Sequence, residues 1–343
     1  MTLPAAFQRY QKALEQELRA VLGQNISPLY TMMRYHLGWV DEHGEQQPNP
    51  GKMSRPTLCL LACQAVGGDW STALPSAAAV ELIHNFSLIH DDIQDCSWER
   101  RRRPTVWKIW GEPQAINAGD AMYVLAQLAL FRLQDTAVAP HQIVILSRKL
   151  NQASLQLCEG QYLDIEYENH LDTSIGEYLQ MIGKKTAALF ECALFFGAFI
   201  GTDNDRQVQS LCSFGWNLGM AYQVQNDIEG IWGAGEGHKQ SPYTDIRSRK
   251  KTLPVIFALR EAPGKDGERL RNVYGKQKLS TADISRVLGI LESTGAQKYS
   301  NQIRETYYRQ CLEDLEGAQL PPDPRRELKQ VAAFLLGEEA ESP

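Results

Sequence analysis

The sequence predicts an all-α protein, and three observations carry that prediction. Apolar residues recur at helical spacing, as at Leu82, Ile83, Phe86 and Ile89. β-branched runs alternating with period two do not appear. No Pro/Gly/Ser-rich linker divides the 343 residues, so 1–343 is expected to form a single domain, and 43% hydrophobic content is enough for a large helical core. A net charge of −6 and a pI near 5.7 argue against a nucleic-acid binder. The basic residues cluster locally, which points to a small anionic partner.

In chain order, residues 4–22 are expected to form a helix. The following segment runs from apolar positions into a polar loop that ends near Lys52. Lys52 and Arg55 stand at i and i+3 where the next helix begins, and Pro56 suits its first turn. A helix N-terminus carrying two cations attracts anions. Residues 115–134 are nearly continuously apolar and read as a core helix, with Asp120 near its start. The helix over 143–169 carries Gln161 and Asp164 among apolar neighbours, suited either to a polar cavity or to capping a buried partner. A strongly apolar helix then contains Lys184, Lys185 and Thr186, where a buried cation requires a counter-charge. Another apolar helix runs into Gln223, Asn226, Asp227 and Glu229. The loop after it, 233–251, brings Lys239, Asp245, Lys250 and Lys251 before the next helix. Beyond further helices, a Pro-rich turn at 321–324 precedes a final helix expected to dock on the body.

The stretch that organises the chain is 81–105. It reads as a helix delivering Asp91, Asp92 and Asp95 to its C-terminal end, where partial negative charge disfavours acids. Asp91 and Asp95 share a face, about 6 Å apart at their stems, with Asp92 beside them. That spacing suits hard cations, and magnesium is usually held by one or two carboxylates together with substrate phosphates. Arg100 to Arg103 follow closely, and guanidiniums grip phosphate in bidentate fashion. Acids for a metal beside arginines for phosphate make a site for a metal-complexed polyphosphate.

Seven cysteines, with no CxxC pair, read as reduced core thiols. The N-terminus lacks a basic-then-apolar signal pattern, and no apolar run approaches the ~20 residues of a membrane span. A cytoplasmic protein without a transmembrane segment is expected.

Taken together, several motifs resemble the trans-isoprenyl diphosphate synthases, the polyprenyl synthetase family that includes farnesyl and geranylgeranyl diphosphate synthases. They are GKMSRP at 51–56, ELIHNFSLIHDDIQD at 81–95, the arginine pair at 100–101 with Pro104 and Thr105, AINAGDAMY at 115–123, EGQYLDI at 159–165, Lys185–Thr186, YQVQND at 222–227 and DIRSRKKTLPVI at 245–256. The resemblance implies an isoprenoid-synthase-type helical bundle around a deep central cavity, paired as a homodimer. It implies three magnesium ions, held by Asp91, Asp92 and Asp95 and by Asn226 and Asp227. Arg100, Lys185, Lys239 and Lys250 would bind an allylic diphosphate, and Lys52, Arg55, His84 and Arg101 would bind isopentenyl diphosphate. Lys185, Thr186 and Gln223 would face the allylic cation, and the 233–251 loop would exclude water. Phe86 and Ser87 would set the cavity floor, and that combination points to a twenty-carbon product, with farnesyl diphosphate as the alternative.

Three departures from the family pattern stand out. Met53 and Arg102 replace a usual arginine and a usual glycine, and the second acidic segment reads Asn226, Asp227, Ile228, Glu229, Gly230 instead of DDxxD. Asn226 offers magnesium only a neutral carbonyl oxygen, so weaker binding of the third ion is expected. The alternatives are a class I terpene cyclase, which also has an Asn-Asp second motif, and a non-catalytic subunit of a heteromeric synthase.

Overall fold

Helices account for nearly all of the regular structure in the computed structural model, which describes residues 3–47, 51–168, 170–233, 243–276 and 278–338. In order they are α1 (Ala5–Leu22), α2 (Pro28–His36), α3 (Ser54–Ala65), α4 (Leu74–Gln94), α5 (Val106–Trp110), α6 (Glu112–Phe131), α7 (Pro140–Tyr167), α8 (Ile175–Ile182), α9 (Ala188–Gly201), α10 (Asp205–Trp232), α11 (Thr244–Arg247), α12 (Leu253–Glu261), α13 (Gly264–Tyr274), α14 (Thr281–Ser293), α15 (Ala296–Gly317) and α16 (Pro322–Leu336). The fold is all-α, as the apolar spacing predicts. A hairpin of β1 (Glu99–Arg100) and β2 (Arg103–Pro104) is the one sheet among the described residues.

The chain divides into two compact units, one from Met1–Leu155, Leu189–Gly215 and Asp314–Pro343, the other from Gln156–Ala188 and Trp216–Glu313. In the first, α4 packs chiefly along α6 and also against α3 and α1. Small residues allow that approach: Ala77, Ala78 and Ala79 on α4 and Ala115, Ala118 and Ala126 on α6 are fully buried. At Gly119 a Cβ would overlap the His90 ring, so the glycine of the AINAGDAMY segment is a packing requirement. The final helix docks as expected, with α16 against α3, Phe334 5.5 Å from Phe7, and Arg9 2.6 Å from Glu327.

The second unit gathers α8 and α11–α14 with parts of α10 and α15. Its core includes Tyr178, Ile182, Val224 and Ile256, and a further cluster contains Val255, Leu259, Leu270 and Leu291.

Three expectations are corrected. First, α6 is not a wholly buried core helix, because Ile116, Val124, Leu128 and Phe131 lie 45–54% exposed along one stripe. A continuous apolar run does not distinguish a face covered by its own chain from one left open. Second, the apolar helix containing Lys184–Thr186 runs on as expected but is not regular. A π-helical turn, Gly183–Ala187, joins α8 to α9. Third, the cysteines are all free, but Cys96 and Cys158 are exposed. No helix among the described residues is long and apolar enough to cross a membrane.

Candidate active site

In the first unit, α4 ends at Gln94 with no basic residue in its last turn, and Asp95 is its C-cap. Asp91 and Asp95 are both partly exposed at that end. A helix C-terminus with no basic residue in its last turn and two partly exposed carboxylates one turn apart fits a divalent cation. Asp92 points elsewhere. It is 1% exposed, and Arg100 Nε donates to its Oδ1 and Oδ2 at 2.9 and 3.0 Å while Nη2 lies 2.8 Å from Oδ1. Burial raises the Asp92 carboxyl above its ordinary range, and Arg100 opposes that shift. Among the described residues no three His, Cys, Asp or Glu side chains gather into a cage, so any ion at Asp91 and Asp95 completes its shell with water or substrate oxygens.

Arg100 is held by the hairpin. Arg101 and Arg102 turn it with φ of 53° and 61°, a left-handed pair that favours Asn or Gly. Such strain costs roughly 1–3 kcal/mol per residue and persists only where neighbours over-determine it. Here they do. Tyr35 OH donates to Pro104 O at 2.8 Å, and Arg103 stacks 4.0 Å over the Tyr35 ring and donates to Val40 O at 2.6 Å. Thr105 Oγ1 and Trp107 Nε1 both donate to Ser97 O at 2.8 Å. No glycine or asparagine stands at the turn, so local turn chemistry does not mark this hairpin.

Arg55 is buried, over the Phe190 ring at 4.4 Å and 3.3 Å from His84 Nε2. Burial, then Arg55, pushes the His84 imidazole well below its usual pKa, so it is neutral and its Nε2 accepts from Arg55. Lys52 is exposed, with its ammonium 4.8 Å over Phe334. The guanidinium of Arg101 lies across Gly51, where a Cβ would overlap it. Glu81, 5% exposed and held by Asn85 Nδ2 at 2.8 Å, supplies counter-charge to Arg101 and Arg55. Phe86 is buried and meets the Tyr123 ring edge-on at 5.4 Å, and Ser87 Oγ donates to His84 O.

In the second unit the expected counter-charges are present: Lys184 pairs with Glu159 at 2.7 Å and Lys185 with Asp164 at 2.5 Å. Gly160 has a physical reason, since a Cβ there would overlap the Lys185 backbone at the π-turn. A hydrogen-bond chain follows. Thr186 Oγ1 donates to Gln223 Oε1 at 2.8 Å, and Gln223 Nε2 donates to Asp227 Oδ1 at 3.0 Å. Asp227 Oδ2 accepts from Tyr178 OH and, at 3.1 Å, from Leu253 N–H. Burial raises the Asp227 carboxyl to about 7, although three donors oppose the shift. Both oxygens are therefore engaged inside the protein. Tyr178 was invisible in the sequence, where it reads as one more apolar position of α8.

Gly230 is packed against Asp245, whose carboxylate occupies the space a Cβ would need. The glycine that departs from DDxxD thus admits another acid to α10. Gly230→Asp, which would restore the last acid of the pattern, is expected to lower the thermal midpoint and to leave the magnesium requirement no better than wild type. A variant of wild-type stability with tighter magnesium binding would overturn this account of the glycine. Lys250 donates its backbone N–H to Asp245 O at 2.9 Å. Lys239, within 234–242 of the 233–251 loop, lies outside the described residues.

An all-α chain with two partly exposed acids at one helix end, an arginine hairpin in the same unit, and a half-buried Lys185 and a Thr186–Gln223–Asp227 hydrogen-bond chain in the other has the features of the trans-prenyltransferases. Comparison with known proteins narrows this further. The polyprenyl synthetase family model matches residues 38–291. Curated relatives include the (2E,6E)-farnesyl diphosphate synthase of Mycobacterium tuberculosis, 35% identical over 90% of this chain and 86% of that one. The geranylgeranyl diphosphate synthase of the same species is 34% identical over 94% and 95%. A crystal structure of a polyprenyl synthetase from Streptomyces coelicolor superposes with a TM-score of 0.88 at 33% identity, covering 96% of this chain and 98% of that one. The chain belongs to the polyprenyl synthetase family.

Proposed function

We propose that residues 1–343 act as one polyprenyl synthetase domain that condenses an allylic diphosphate with isopentenyl diphosphate into a longer linear trans-prenyl diphosphate, with geranylgeranyl diphosphate as product. The observation that carries the proposal is the end of α4, where two partly exposed carboxylates stand one turn apart at a helix terminus with no basic residue in its last turn, beside an arginine locked by Asp92. Asp91 and Asp95 hold magnesium. When bound, that ion supplies the charge that stabilises departing diphosphate. The asparagine at 226 makes a further ion weaker, and Asp92 and Asp227, whose oxygens are already engaged, serve as anchors for Arg100 and for Gln223 and Thr186.

Arg100, Lys185, Lys239 and Lys250 bind the allylic diphosphate, and Lys52, Arg55, His84 and Arg101 bind that of the acceptor. Neutral His84 fixes the Arg55 guanidinium, so that its remaining N–H groups face the ligand in a set orientation. Lys185, Thr186 and Gln223 direct dipoles at the allylic cation. Phe86, braced by Tyr123, and Ser87 limit the length of the growing chain.

Incubation with Mg²⁺ and both diphosphates should release diphosphate and yield a longer linear product by chromatography. Hydrocarbon formation without the acceptor would favour a cyclase, and turnover only after adding another subunit would favour a regulatory role. The relatives named for farnesyl and geranylgeranyl diphosphate synthesis favour the synthase. Asn226→Asp should lower the magnesium concentration that gives half-maximal activity, because a carboxylate replaces a neutral oxygen. An unchanged titration would remove the explanation offered for that position.

The exposed stripe of Ile116, Val124, Leu128 and Phe131, extended by Val144 and Leu155 of α7, is proposed as the face on which a second copy docks. Light scattering should give the mass of a dimer for wild type and of a monomer for Leu128→Glu. A wild-type monomer at micromolar concentration would refute the pairing.

A further inference from the structure

Beside the arginine hairpin lies a small, partly open pocket into which the two proposed substrate-binding arginines, Arg100 and Arg101, also face. It measures about 20 Å³ and is lined by Tyr35, His36, Asp92, Arg100, Arg101 and Arg103 among others. One water occupies about that much room, provided it finds two or more polar partners. His36 Nε2 faces this requirement directly: it is buried and has no hydrogen-bond partner among the described residues. The imidazole is also held neutral, first by burial and then by Arg101, Arg100 and Arg103 in that order. A neutral ring surrounded by guanidiniums, which only donate, is stable with its lone pair turned toward them.

Two of the three guanidiniums are already engaged, Arg100 by Asp92 and Arg103 by the carbonyls of Tyr35 and Val40. Among the described residues no hydrogen-bond partner stands against the Arg101 guanidinium, which rests on Gly51. Glu81 supplies its counter-charge without a hydrogen bond to it among the described residues.

We propose that His36 is a positioning residue, whose Nε2 accepts a hydrogen bond from one internal water that in turn accepts from Arg101, so that the end of α2 sets the direction of that guanidinium. The neighbouring residue acts in the same sense, since Tyr35 holds both Pro104 and Arg103 of the hairpin. Tyr35–His36 thus forms a two-residue clamp at the end of α2. The functional consequence rests on the reading in which Arg101 grips isopentenyl diphosphate.

His36→Leu fills the space and removes the acceptor, while His36→Gln keeps an acceptor oxygen near the position of Nε2. His36→Leu is expected to raise the KM for isopentenyl diphosphate roughly tenfold, with the allylic KM and kcat within about twofold of wild type. His36→Gln should restore most of that loss. Equal rises in both KM values, or a Gln variant as impaired as the Leu variant, would reduce His36 to a packing residue and overturn the proposal. A high-resolution crystal structure of the wild type should show a water within hydrogen-bond distance of His36 Nε2 and Arg101, and an empty space would overturn it even if His36→Leu fails to fold. Absence of condensation by the wild type would instead refute the synthase reading, and the crystallographic water would still decide the structural link.

Discussion

Asp91→Asn is expected to lower kcat roughly 10²- to 10³-fold without lowering the thermal midpoint, while Asp92→Asn, one residue on, should lower the midpoint sharply. The two acids are adjacent in sequence and differ in surroundings. Asp91 stands on the accessible side of a helix end with no basic residue in its last turn, so removing its charge relieves repulsion there. On the proposed function Asp91 acts through a bound ion on the departing diphosphate, and removing one such electrostatic contact costs roughly 10²–10³ in rate. Asp92 is 2% exposed at its side chain and Arg100 32% exposed. Breaking a fully buried pair costs about 3–5 kcal/mol, and the partial exposure of Arg100 reduces the expected loss to roughly 2–3 kcal/mol. Asp92→Asn also frees Arg100, so the KM for the allylic substrate should rise. Parallel kinetics and denaturation of the two variants test the division. Equal stability losses, or an active Asp91→Asn, would show that the acids had been given the wrong jobs.

How much of this was legible in the sequence depends on the range of the forces involved. The spacing of Asp91 and Asp95 is a property of one helix, and helical period predicts it. The need of Lys184 and Lys185 for counter-charge follows from burial, and Glu159 and Asp164 supply it. The hairpin was not legible because Arg101 and Arg102 contradict local turn preference and are held there by Tyr35, some 65 residues earlier in the chain. The π-turn was hidden for a related reason. Nothing in Gly183–Ala187 marks an extra residue per turn, and only the close approach of Gly160 to Lys185 gives it meaning. Read from sequence alone, Asp92 and Asp227 group with Asp91 and Asp95 as candidate metal ligands. One-dimensional spacing shows where a carboxylate sits on a helix, but which donors it accepts from inside the protein is a tertiary fact.

Asp227 gives the second large effect. Tyr178 OH, Leu253 N–H and Gln223 Nε2 all donate to this carboxylate, which is 2% exposed. In Asp227→Leu those donors lose their acceptor, at about 1–3 kcal/mol each when they stay buried. The sum is comparable with the 5–15 kcal/mol that stabilises a typical domain, so little folded protein is expected. Asp227→Asn is the informative variant, because it keeps the shape and one acceptor oxygen. Its stability should fall by less, and the difference from wild type should depend on pH in a defined direction. The wild-type carboxyl is raised to about 7 in the folded state, well above its value in the unfolded chain. Between pH 4 and pH 7 the folded protein therefore binds more protons than the unfolded one, and stability from this group is lost as pH rises. Asparagine does not titrate, so the wild type's margin over Asp227→Asn should narrow from pH 5 to pH 8 in urea denaturation. A margin that is flat, or that widens, would mean the carboxylate is already charged at pH 5 and that its three donors outweigh burial. Kinetics would then separate anchoring from metal binding. If Asp227 acts by orienting Gln223 and Thr186, Asp227→Asn should lower kcat at every magnesium concentration, with the half-maximal concentration unmoved.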